Sequence, residues 1–158
     1  MNEGDESMNV KTILYWITTA LIALETFAGG LTDLAHGRTS VVSGTPVVDV
    51  VTQLGYPVYV LTILGVLKVP GAIALVIPRF PRLKEWAYAG IMFELTGAAA
   101  SEVAVGNSPG DIATPLILAA LTITSWALRP ASRRGLVEFV RERPARFGAG
   151  LDRYSLTA

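Results

Sequence analysis

Apolar runs alternate with polar, proline- or glycine-bearing junctions along most of the chain, and their lengths predict helices that cross a bilayer. From Thr12 to Thr32 every residue is uncharged except Glu25, and these 21 residues would span about 31 Å as a helix. Asp33 to Gly55 holds Gly37, Gly44 and Pro46 around an apolar stretch of Val47, Val48, Val50, Val51 and Leu54. That stretch is too short to cross, so it predicts a short interfacial helix or hairpin on the outer surface. Tyr56 to Ile77 is a second span, interrupted by Lys68 and by Pro70 and Gly71, with a kink expected at Pro70 that frees a carbonyl near Val66. Pro78 to Glu85 reads as a tight basic turn, and Trp86 to Val105 as a third span carrying Glu94 and Glu102. After a short turn over Gly106 to Asp111, Ile112 to Leu128 runs uncharged as a fourth span.

The two ends differ from this core. Residues 1–10 are acidic and polar, lack the basic start and apolar centre of a secretory signal, and predict a disordered tail. Residues 129–158 are arginine-rich, and Leu136, Phe139 and Val140 share a helical face among Arg133, Arg134, Arg141 and Arg143. This pattern predicts an amphipathic helix lying on anionic lipid. The fold expected is therefore all-α: a four-helix transmembrane bundle over residues 11–128, both termini cytoplasmic, with an interfacial C-terminal helix.

Composition agrees with a multi-pass protein of the cell membrane. Apolar residues make up 51% of the chain and charged ones 16%, against roughly 25% charged in soluble domains, and mean hydropathy is +0.47. The formal net charge is zero, which argues against nucleic-acid binding, but the basic residues are unevenly placed. Four spans put Lys11, Arg79, Arg82, Lys84 and the seven arginines after Leu128 on one face, with Arg38 alone opposite. That asymmetry sets the orientation by the positive-inside rule; three spans would split it. The absence of cysteine excludes disulfides, thiolate metal sites and iron–sulfur clusters, and a single histidine cannot supply two haem ligands.

Charges inside the spans carry the candidate chemistry. Counting 1.5 Å per residue from the cytoplasmic ends, Glu25 lies about 19 Å deep, Lys68 about 14 Å and Glu94 about 12 to 15 Å. Burying each costs roughly 2.5 to 3.5 kcal/mol on insertion scales, so Lys68 is expected to pair with Glu94 or Glu25. Two carboxylates against one ammonium leave a surplus, which predicts that one glutamate holds a proton at neutral pH. The trio either fixes helix register as an ion pair or lines a polar cavity that binds the head of a lipid-soluble molecule or relays protons.

Small and polar residues continue the same helical faces: Thr18, Glu25, Gly29 and Asp33 on the first span, Gly90, Glu94, Gly97 and Ser101 on the third, and Asp111, Thr114, Leu118, Thr122 and Ser125 on the fourth. The glycines and serines suit close helix packing. The candidate ligand-binding set is Glu25, Lys68, Glu94, Thr18, Ser101 and Thr122, with Asp33, His36, Glu102 and Asp111 at an outer mouth. His36 there reads as a surface or capping residue, or as a proton acceptor at the mouth. The acids' spacing matches no metal motif. Tyr15, Trp16, Trp86 and Trp126 suit a cytoplasmic aromatic belt, and Tyr56 and Tyr59 an outer one.

The segments TILYWITTALIALETFAGGLTDLAHG, GYPVYVLTILGVLKVPGAIAL, PRLKEWAYAG and SWALRPASRR resemble the DoxX-like family of small four-helix bacterial membrane proteins over residues 11–134. The resemblance implies a four-helix bundle in the cytoplasmic membrane. It also implies an association with quinone-linked respiratory or oxidative-stress systems, and it transfers no catalytic residue. Lys68 and Glu25 match the family pattern, whereas Glu94 and Glu102 stand where relatives often carry Asp and His. The function expected first is a quinone- or lipid-binding accessory subunit with a polar midplane site. It would have no intrinsic cofactor, would bind a quinone or other isoprenoid, and would take its electrons from a redox partner protein. Two other readings stand beside it: a structural or transport subunit working as a homo-oligomer, and a membrane isomerase or hydrolase using the buried carboxylates.

Overall fold

The computed structural model describes residues 3–36, 45–78 and 80–130, and among them every regular element is a helix. In chain order these are α1 (Glu3–Leu34), α2 (Val47–Gln53), α3 (Tyr59–Val76), α4 (Pro81–Val105) and α5 (Pro109–Ala127). Where the sequence predicts a disordered tail over residues 1–10, α1 begins at Glu3; extending a helix already nucleated in the apolar segment costs less than starting one. The amphipathic helix expected after residue 130 lies outside the described residues. Within the connection between α1 and α3, α2 forms as the short helix, one of the two alternatives, helix or hairpin, that the valine cluster predicts.

Local signals set the other boundaries. Ser108 caps α5 and exchanges side-chain and backbone hydrogen bonds with Asp111, with Pro109 in the first turn. Gly106, at φ 77°, closes α4, and the Asn107 N–H donates to the Glu102 carbonyl five residues back. At the end of α1 His36 adopts φ 58° and its N–H donates to the Asp33 carbonyl, so it serves as a helix-closing residue. Both α3 and α5 continue through an internal proline, Pro70 and Pro115.

The turn before α4 is shorter than expected, which changes the role of Lys84. Because Pro81 is tolerated at a helix start, α4 begins inside the stretch Pro78–Glu85 that the sequence reads as a basic turn. Lys84 then points inward, is 1% exposed, and donates to the carbonyls of Ala74 and Leu75 at the end of α3. An ammonium at a helix C-terminus satisfies carbonyls that have no partner within the helix and opposes the negative end of its dipole.

Packing joins α1 to α3 and α5, and α4 to α3 and α5. The tightest approach is between α1 and α3: a Cβ on Gly30 would lie 2.8 Å from Lys68 Cβ, and one on Gly65 would lie 2.8 Å from the Gly30 carbonyl oxygen. Ile22, Leu75, Tyr88, Ile91 and Leu95 form the centre of the apolar core.

Polarity is arranged opposite to that of a soluble protein. Leu24, Leu67, Phe93 and Ile117 are among many large apolar residues facing outward, while Thr19, Thr26, Asp33, Lys84, Thr122 and Ser125 are buried. In water such an exterior would expose far more contiguous apolar surface than a monomer tolerates; in hydrocarbon it is the favoured arrangement. Segments Val10–Leu34, Tyr59–Val76 and Pro109–Ala127 are each long and apolar enough to cross a membrane. Helix α4 has 25 residues and includes Arg82, Lys84, Glu85, Glu94 and Glu102.

Candidate functional site

Lys68 is the hub of the buried charges. Its Nζ lies 2.7 Å from Glu94 Oε1 on α4 and 2.8 Å from Asp33 Oδ2 on α1. The close crossing at Gly30 and Gly65 explains why Asp33 is reached. With only hydrogen at Gly30 and Gly65, α1 approaches α3 closely, and Gly29, one turn before Asp33, leaves space beside the ammonium, 3.6 Å from where its Cβ would be. Asp33, expected at an outer mouth, is therefore 2% exposed and an inner partner of Lys68.

Of the two expected pairings, Lys68 with Glu94 forms a direct ion pair and Lys68 with Glu25 does not. Glu25 Oε1 lies on the same side of Gly29 as the ammonium, and its Oε2 takes a long 3.5 Å hydrogen bond from Thr26. Three carboxylates thus surround one lysine. The sequence placed Asp33 on the correct helical face, eight residues after Glu25, but its position just past the first apolar run assigned it to an outer mouth.

A groove of about 330 Å³ opens beside this cluster between α3 and α4. Lys68 and Glu94 stand at one end with Thr26, and the walls continue through Leu67, Gly71, Ala74, Ala87, Gly90 and Ile91 toward Leu83 and Trp86. The ammonium has three N–H donors, two of which face Asp33 and Glu94, leaving one for a ligand. The partly exposed Glu94 carboxylate offers acceptor capacity beside it. The arrangement can therefore hold a group that accepts one hydrogen bond and donates another, with an apolar body filling the rest.

The other expected site residues are placed elsewhere. Thr18 donates to the Leu14 and Tyr15 carbonyls of its own helix, and Thr122 to the Leu118 carbonyl. Ser101 donates to the Gly97 carbonyl and is hydrogen-bonded to the Tyr56 hydroxyl at 2.9 Å. None of the three lines the Lys68 groove. Glu102 accepts from the Asn107 side chain, and Asp111 accepts from the hydroxyl of Ser108, which caps α5, so the two acids build the turn between α4 and α5.

A second polar cluster, not expected as a unit, joins α1, α4 and α5. Ser125 is hydrogen-bonded to Thr19 at 2.7 Å and to the Tyr88 hydroxyl at 2.8 Å. Tyr15, expected in an aromatic belt, is fully buried, while Trp16, Trp86 and Trp126 are exposed. Nearby, Arg129 is paired with Glu85 and lies over the Tyr88 and Trp126 rings, and Trp126 Nε1 donates to Glu85 at 2.9 Å. Partial burial alone would push the Glu85 carboxyl up, but the hydrogen bonds from Trp126 and Arg129 and the guanidinium charge hold it below the usual value.

An apolar exterior, polar side chains buried beside an apolar core, and a charged groove between helices define a helical integral membrane protein. The model of the DoxX-like family matches residues 17–125, about two thirds of the chain. The chain belongs to that family. Comparison with curated proteins and with solved structures returns no match.

Proposed function

We propose that the protein is a quinone- or lipid-binding accessory subunit of a redox system in the cell membrane. In this reading α1, α3, α4 and α5 all cross as a four-helix bundle with both termini cytoplasmic, and the α3–α4 groove is the binding site. The observation that carries it is the Lys68–Glu94 pair at one end of a groove whose remaining walls are apolar. A volume of about 330 Å³ lies at the lower end of the range for small-molecule sites, enough for a ring head and the start of a single tail. The free Lys68 N–H would donate to a ring oxygen, and Glu94 would accept from a hydroxyl on the reduced form. A chain without cysteine carries no thiol couple, so electrons would come from a partner protein.

Native mass spectrometry of the protein purified in nanodiscs tests this. The expected result is a retained isoprenoid quinone in the parent and its loss in Lys68→Met. A bare homo-oligomer, with no quinone-induced change in thermal stability, would overturn the reading in favour of a structural subunit.

A further inference from the structure

The interior glycines of the long helices differ in what surrounds them: Gly29 has ordinary contacts, and Gly71, Gly90 and Gly97 have open space, of which only Gly71 and Gly90 line the groove. Gly30 and Gly65 are required by packing, because a Cβ at either position would meet a neighbour at 2.7 to 2.8 Å. Gly71 and Gly90 are not: a Cβ at either would meet no heavy atom within 4 Å. Neither has the positive φ that favours glycine, and glycine weakens a helix interior relative to alanine. Contacts within the protein therefore do not explain these two residues.

Both line the groove, and their register is informative. Gly71 is three residues after Lys68, and Gly90 is four residues before Glu94, so the glycines form the layer one helical turn, about 5 Å, from the ion pair. Ala74 and Ala87 continue the walls beyond them. A ring whose oxygen reaches Lys68 would place its body in this layer, where width is needed.

We propose that Gly71 and Gly90 are specificity-determining positions that hold open a slot for the planar ring of a single-tailed lipid, in preference to a plain alkyl chain. This inference rests on the quinone reading above and names the feature of the ligand that the groove selects. The slot opens sideways between α3 and α4, and the largely exposed Trp86, one turn beyond Gly90, stands at its far end.

The test titrates decylubiquinone and dodecanol, separately, into the purified full-length protein in detergent. Parent, Gly71→Ala, Gly90→Ala, Gly71→Leu, Gly90→Leu and the control Gly97→Ala are compared, and melting of each unliganded protein is recorded. Gly97 also has open space at its Cβ position but does not line the groove. The expected result is that both Ala variants melt at or above the parent temperature. The Leu variants lose about ten-fold or more in decylubiquinone affinity with a smaller change for dodecanol, and Gly97→Ala binds as the parent does. Ala variants that melt below the parent would overturn the proposal, since packing would then require glycine. So would Leu variants that bind decylubiquinone normally, or that lose both probes equally. A parent that binds no decylubiquinone overturns the quinone reading and the proposal together, whereas a binding parent with indifferent Leu variants overturns the proposal alone.

Discussion

Removing the Lys68 ammonium is the most informative single perturbation of the buried cluster. In Lys68→Met the side-chain length is nearly kept, but Asp33, 2% exposed, loses a cation at 2.8 Å and Glu94 loses one at 2.7 Å. Truncating one partner of a buried pair typically costs about 3–5 kcal/mol, because the remaining charge is left without compensation. For a chain of this size that corresponds to a fall in melting temperature of about 6–20 °C. Differential scanning fluorimetry of the nanodisc protein would measure it, and Lys68→Met/Asp33→Asn should recover part of the loss. A coupling of about 0.5–3 kcal/mol in this double-mutant cycle is expected for groups in contact. A single variant as stable as the parent, or a double variant no better than the sum of its parts, would refute the view that Lys68 compensates Asp33.

Three further outcomes follow from the packing and from the Lys84 and Glu85 contacts described above. Gly65→Ala should destabilise by about 1–3 kcal/mol through overpacking, because its Cβ would meet the Gly30 carbonyl oxygen and the Leu34 backbone nitrogen, neither of which can swing away; chemical denaturation would read this. Lys84→Met should cost about 1–3 kcal/mol by leaving the Ala74 and Leu75 carbonyls without that donor, with thermal melting as the measure. Glu85 has a lowered pKa in the folded protein, so its stabilising effect is complete above about pH 4.5 and is lost as pH falls through the lowered value. Parent and Glu85→Gln melting curves should therefore differ at neutral pH and converge in acid, and a pH-independent difference would refute the assignment.

The sequence alone determined the all-helical class, the bilayer-length apolar runs and the conflict between buried charge and hydrocarbon that marks Lys68, Glu25 and Glu94. These follow from composition and a 3.6-residue period, which are properties of each segment by itself. Helix starts were misplaced where a proline served both a turn and a helix start: α4 begins at Pro81 inside the expected basic turn, and α5 at Pro109 inside the expected turn Gly106–Asp111. Which carboxylate Lys68 meets was decided only by tertiary structure. A helical wheel gives the face of a residue but not the distance or angle to the neighbouring helix, and the glycine contact between α1 and α3 brings in Asp33 while Glu25 makes no direct ion pair. The same limit hid Lys84, whose burial depends on where α3 ends relative to α4. It also hid the groove, which is lined jointly by α3 and α4 residues, Gly71 and Gly90 among them, that no local pattern aligns.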